Sequence, residues 1–346
     1  MSGSAYNFGA ATFAFFKTMG RRPGAVISIA VWQVLFYLAL FVIAAVMFLP
    51  HVGAIVALAE AKHEPEPAQV LALFAQMGGA IFLTLVIGFA LTLMVQGAWL
   101  RLLTRNEVAS GVPFRFGGDE LRLFVVNLLY VFFGFLMYIA IVIAVVAGSL
   151  VGALILNVAG EGTVTGGLLT GLWGFVAALA VMAVVIFLLI RFAAAPALTV
   201  RQKDIRFFES WSATKDVTGM MFLSYLVVIL VSFGLGIIAS VVQQIFMVGA
   251  MVSVIEPLSQ LENTKGADVD QVMSILGTVF SNPVVIIALL LALVVQYIIQ
   301  VIIEVCWHGV GAYAAVRYDG GDDVLAPAKP APYAPSQSVG EAPSEG

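Results

Sequence analysis

Residues 123–160 read LFVVNLLYVFFGFLMYIAIVIAVVAGSLVGALILNVAG, with no Asp, Glu, Lys or Arg among them. About 20 helical residues at a rise of roughly 1.5 Å each cross a hydrocarbon core of roughly 30 Å, so this stretch predicts a transmembrane helix with length to spare. Five further windows lack charge in the same way, at 23–59, 67–100, 162–190, 217–255 and 271–303, and each of the six holds at least 29 residues. The expected fold is therefore all-α and integral to a membrane, with spans at about 25–49, 78–101, 122–147, 168–191, 219–247 and 283–308. A transmembrane barrel is not expected, because its strands alternate apolar and polar positions and these runs are continuously apolar. The whole chain agrees: of 346 residues, 62% are hydrophobic and 10% charged, with a mean hydropathy of +1.06. No soluble globular chain has that composition.

The first apolar run, Ala25 to Leu49, is too long for the 7–15-residue core of a cleaved signal and reads as a retained span. Ahead of it, Phe8, Thr12, Phe15 and Met19 recur at helical spacing and predict an interfacial N-terminal helix within residues 1–24. The charges then set the orientation. With the N-terminus cytoplasmic, 14 of the 16 Lys and Arg fall on that side, and only Lys62 and Lys265 lie outside. Both termini are expected in the cytoplasm. A spanning domain over 25–320 gives way at 321–346 to a Pro- and Ala-rich stretch that buries too little apolar surface to offset its chain entropy. It is expected to be a disordered cytoplasmic tail, either inert or a docking segment.

The chain also repeats. Residues 99–105 read WLRLLTR, 195–201 read APALTVR and 311–317 read GAYAAVR, each closing an even-numbered span with Arg. The first two lead into aromatic, mixed-charge segments, 114–122 and 205–211, equivalent in place to the N-terminal helix. The unit is interfacial helix, span, outer loop, span, three times over, giving three parallel helix-pair repeats. Parallel repeats do not follow the inverted logic of many secondary transporters. Outer-face amphipathic helices are expected from Val70, Leu73, Phe74 and Met77, and from Val269, Val272, Met273, Leu276 and Phe280.

Arg191 to Pro196 (RFAAAP), followed by Glu209 to Lys215 (ESWSATK) and a new span, resembles the "R-x-x-x-x-P … S-W-x-x-T" elbow of a bacterial multi-span family. The family takes its name from the membrane domain of glycerophosphoryl diester phosphodiesterases. Tyr313 to Asp319 (YAAVRYD) is similar to its closing segment. The resemblance implies a six-span protein of a bacterial inner membrane. It does not imply the activity, since a phosphodiesterase barrel of about 250 residues has no room beside six spans.

One span carries a polar stripe. Gln296, Gln300, Glu304 and His308 recur every four residues along one helix face. A carboxylate inside a span is costly unless paired or hydrated, so Glu304 marks either a pathway or site, or a structural ion pair near the cytoplasmic end. Arg191, at similar depth, is its expected partner. Gln33, Gln96, Asn127, Gln243 and Gln244 read as interhelical hydrogen-bonding groups, and Trp99, Trp211 and Trp307 as an aromatic belt. Arg201, Lys203, Arg206 and Lys215 beside Trp211 form a candidate contact for anionic lipid headgroups, or simply follow the positive-inside rule.

Other chemistry finds little support. Cys306 is the single cysteine, expected to be a buried apolar residue, and His51, His63 and His308 lie too far apart to suggest metal ligation. No nucleophile has a base at workable spacing, and no phosphate-binding loop or dinucleotide fingerprint occurs. A net charge of -4 gives no footprint for nucleic acid. The sequence thus points to a protein without catalytic residues, metal or cofactor that organises membrane lipids or membrane-protein partners. The alternative is a transporter or channel for a small or lipid-like solute that uses the stripe on the last span.

Overall fold

The computed structural model describes residues 6–59, 66–159, 164–252, 274, 277 and 281–321, and every regular element within them is helical. In chain order these are α1 (Phe8–Thr12), α2 (Ala14–Arg21), α3 (Pro23–Phe48), α4 (Val52–Ala59), α5 (Pro67–Arg105), α6 (Gly118–Ala159), α7 (Val164–Phe192), α8 (Ala195–Gln202), α9 (Glu209–Thr214), α10 (Thr218–Val252) and α11 (Pro283–Tyr318). A single 3-10 turn, Leu49–His51, joins α3 to α4. Six of these helices, α3, α5, α6, α7, α10 and α11, are long and apolar enough to cross a membrane. The chain is an all-α, multi-span membrane protein.

Consecutive spans pair as expected: α3 lies along α5, α6 along α7, and α10 along α11. The closing segments of the three pairs, at the ends of α5 and α11 and in α8, each touch the other two. Two of them are tied reciprocally. Arg105 Nη1 donates to the Val200 carbonyl at 2.8 Å, and Arg201 Nη1 donates to the Thr104 carbonyl. Each repeat's closing arginine thus caps the backbone one residue before the other's.

Several boundaries differ from expectation. The Val70–Met77 segment is no separate outer-face helix; it continues into α5, which runs unbroken from Pro67, set at its first turn, to Asn106 in the left-handed region at φ 56°. No proline lies between them, and the helix runs through Gly78 and Gly79, where an added side-chain carbon would meet open space. Helix α6 spans 42 residues, about 60 Å, against a hydrocarbon core of roughly 30 Å. The stretch 269–273 with Leu276 and Phe280, and the tail beyond Gly321, lie outside the described residues. The N-terminal segment forms two helices, broken at Phe13, and its buried residues are Ala11, Thr12, Ala14, Phe15 and Thr18, so Thr12 and Phe15 of the expected stripe face inward. Phe8 and Met19, expected on one stripe with Phe15, are exposed. Phe15 is held instead by α11, where Gly309 lets its backbone approach, and by a T-shaped contact with Trp99, the ring centroids 6.3 Å apart.

The main core sits at the end of the bundle where α3 begins and α11 finishes. Trp99, Leu102, Leu103, Leu123, Leu198, Met221 and Val310 are all buried there. Close backbone contact is part of it: a side-chain carbon on Gly311 would lie 2.7 Å from the Ala193 carbonyl oxygen. Gly311→Ala should therefore force α11 off the α7–α8 bend and cost about 1–3 kcal/mol, as overpacking does. A melting curve in mild detergent checks this, and an unchanged midpoint would refute the close packing.

Candidate functional site

The basic end is assembled from the residues that close each helix pair. Arg101 and Arg105 lie one turn apart on the last turns of α5, and Asp119 and Glu120 occupy the first turn of α6, where acidic groups favour a helix N-terminus. Arg101 pairs with Glu120, the two side chains being 3% and 0% exposed. Glu120 also accepts the Gly117 N–H at 2.9 Å. Gly97 makes room for this carboxylate, since a side chain there would meet Glu120 Oε1 at 2.5 Å. Arg105 grips Asp119 at 2.6 Å, and Arg122, Arg101 and Arg115 stand 3.3, 3.8 and 3.9 Å from the same carboxylate. Across the end, Arg201 pairs with Asp319 at 2.5 Å, and Gln202 donates to Asp319 at 2.8 Å. Buried charges need such partners, because an unpaired one costs several kcal/mol.

A second network lies deeper in the spans. Trp99 Nε1 donates to Gln33 Oε1 at 2.7 Å, and Gln33 Nε2 donates to Glu304 Oε2, also at 2.7 Å. His308 Nε2 stands 3.7 Å from the other carboxylate oxygen. The Gln33 side chain of α3 thus joins Trp99 of α5 to Glu304 of α11. Of the rest of the stripe, Gln296 accepts from Gln243 on α10 at 2.7 Å, while Gln300 faces outward. The stripe therefore divides, with Glu304 and His308 turned inward and Gln296 and Gln300 on the surface.

Arg191 is not the partner of Glu304. It ends α7 at a bend, where its Nη1 donates to Thr218 Oγ1 at 3.2 Å and its guanidinium stacks over the Trp211 ring at 4.2 Å. The bend explains the whole elbow. Pro196 has no N–H for the Phe192 carbonyl four residues before it, so that oxygen accepts from Tyr130 instead, at 2.5 Å. The Arg191 carbonyl, likewise released by the break, accepts from Ser210 at 2.9 Å and Thr214 at 3.0 Å. Ser, Trp and Thr are thus placed to complete one interrupted helix.

The candidate headgroup cluster also divides. Arg201 is buried and bound to Asp319, so it is no lipid contact. Arg206 is held by Asp204 and Glu209, each at 3.0 Å. Trp211 lies under Arg191 with one side exposed, and Lys203 and Lys215 are exposed. Of the belt tryptophans, Trp99 is fully buried, whereas Trp211 and Trp307 are exposed. Gln96 and Asn127 join α5 to α6 at 2.9 Å as expected, but Gln244 bonds within its own helix, to Ser240. Among the described residues no three His, Cys, Asp or Glu converge as metal ligands.

No family model, curated protein or solved structure matches the chain.

The residues that sequence reasoning missed are Arg101, Arg105, Asp119, Glu120 and Asp319 as a buried cluster. One signal for them was available. The Asp119–Glu120 pair opens a helix directly after the segment closed by Arg101 and Arg105, and short connections between such ends bring them together.

Proposed function

We propose that the chain is a non-catalytic multi-pass protein of a bacterial inner membrane, with both termini in the cytoplasm, that organises lipids or partner proteins around a rigid hub. The observation that carries this reading is the contrast between the two ends of the molecule. The basic end is cross-braced by the Arg101–Glu120, Arg105–Asp119 and Arg201–Asp319 pairs. Beyond it the spans turn large apolar side chains outward, among them Val131, Phe135 and Leu154 of α6 and Leu172 and Phe175 of α7. A static hub suits a surface for lipids better than a path for solutes, because alternating access requires elements that slide or hinge. The placement of 14 of 16 Lys and Arg at one side supports the orientation. The elbow supports kinship in fold with the membrane-domain family it resembles, and its polar side chains serve the fold, which leaves no activity implied.

Extraction of the full chain from a bacterial membrane in polymer-bounded native discs tests this reading. Lipids recovered with the protein should be enriched in anionic headgroups over the bulk membrane. Recovery of bulk lipid composition, with no other membrane protein co-purifying, would overturn it.

Glu304 favours a second reading, transport of a small or lipid-like solute, because a carboxylate in a span is often functional. The two readings separate on Glu304→Gln. The amide keeps an acceptor for Gln33, so the hub reading expects unchanged lipid enrichment and a melting midpoint within a few degrees. Loss of a solute flux by the folded variant in vesicles would favour transport.

A further inference from the structure

A shallow depression of about 340 Å³ opens on the basic end, lined by Arg105, Arg115, Arg122 and Lys203 together with Asp119, Glu120 and the Gly117–Gly118 backbone. Its volume falls at the lower end of the roughly 300–1,000 Å³ usual for small-ligand sites. Glu120 is already neutralised by Arg101. Arg105 is shared between Asp119 at 2.6 Å and Glu107 at 3.0 Å, and Arg122 and Arg115 stand 3.3 and 3.9 Å from Asp119. With Lys203 on the rim, the five cations Arg101, Arg105, Arg115, Arg122 and Lys203 face the three carboxylates Glu107, Asp119 and Glu120, so the depression holds an excess of positive charge in a partly dried setting. Arg105 is only 5% exposed in its side chain, and its Nε has no hydrogen-bond partner. Arg115 is 54% exposed and Arg122 35%, and neither is drawn into the buried core. Lys203 reaches the same rim from the end of α8, in the left-handed region at φ 56°. The floor lacks side chains at Gly117 and Gly118, which open the N-terminus of α6, the end of a helix that favours anions.

The geometry points to a binding site for a phosphate-bearing anion, occupied by the headgroup of an anionic phospholipid. Guanidinium groups bind phosphate oxygens in pairs, and a basic rim beside a span attracts anionic headgroups. This inference rests on the lipid-organising reading and narrows it to Arg115, Arg122 and Lys203. Of the basic residues that a count along the sequence offers for this role, Arg201 is consumed by Asp319, and Arg206 by Asp204 and Glu209.

The purified full chain in neutral detergent can be titrated with dioctanoyl phosphatidylglycerol and, separately, with dioctanoyl phosphatidylcholine. The wild type should prefer the anionic lipid. The triple variant Arg115→Gln, Arg122→Gln, Lys203→Gln should bind it roughly 10- to 100-fold more weakly, while Arg206→Gln with Lys215→Gln changes it little. Should the triple variant melt early, Arg115→Gln with Lys203→Gln, both exposed, carries the test alone. Inorganic phosphate that displaces the lipid shows a site reading the phosphate alone, and lipid binding that resists it shows a site reading the whole headgroup; either supports the site. A variant that keeps the wild-type preference overturns this inference and leaves the lipid-organising reading standing. A wild type with no preference overturns both.

Discussion

Arg101→Met is expected to lower the stability of the chain by about 3–5 kcal/mol, the cost of stranding one member of a buried ion pair. The guanidinium it removes is the partner of Glu120, whose side chain has no exposure at all. What remains for that carboxylate is the Gly117 N–H, one hydrogen bond where a full charge has to be held. Unfolding of the purified protein by increasing fractions of denaturing detergent, followed by tryptophan fluorescence, measures the loss. Replacing Glu120 by Leu in the same chain should restore most of it, because two apolar groups of similar volume in a dry site need no partner. A double variant as unstable as the single one would mean that the loss comes from packing of the Arg101 side chain and not from its charge.

What could be read beforehand follows from how strongly each feature is written in single residues. Six spans were legible because a Lys, Arg, Asp or Glu within lipid is costly, so charges are expelled to the ends and the gaps between them count the helices. The pairing of α3 with α5, α6 with α7 and α10 with α11 was legible because elements consecutive in sequence are usually adjacent in space. Helix lengths were less legible: residues 70–77 carry an amphipathic spacing, yet no breaker separates them from the span that follows, so one helix absorbs both. Rotation was not legible at all. Glu304 and Arg191 were correctly placed near one end, but Gln33 of α3 faces Glu304, and the bend at Ala193 turns Arg191 toward Trp211. Burial of charge was the least legible, since Arg201 and Lys203 sit two residues apart on the same basic stretch. Only the packing of α8 among α5, α6 and α11 makes one a core residue and the other a surface one. The polar stripe of α11 failed in the same way. Its spacing put Gln296 to His308 on one helix face, but that face passes from the surface into the bundle as the helices converge toward the basic end.

The Arg201–Asp319 pair should respond asymmetrically to loss of its two members. Arg201 is 1% exposed in its side chain and Asp319 13%. Asp319→Ala leaves a guanidinium buried with only the Thr104 carbonyl to receive it, and should cost about 3–5 kcal/mol. Arg201→Met leaves a carboxylate that keeps the Gln202 amide at 2.8 Å and can draw water from the open side, so its cost should be about 1–2 kcal/mol lower. Both changes also loosen the reciprocal tie between α5 and α8, in which Arg105 holds Val200 and Arg201 holds Thr104. The full double-mutant cycle, read by the same detergent unfolding, should give a coupling within the 0.5–3 kcal/mol seen for contacting residues. Equal costs for the two single variants would show that Asp319 is as dry as its partner. A coupling near zero would show that the Arg201–Asp319 contact adds nothing to the hold on α8, and the basic end would then lose one of the three ion pairs on which its claim to be a rigid hub rests.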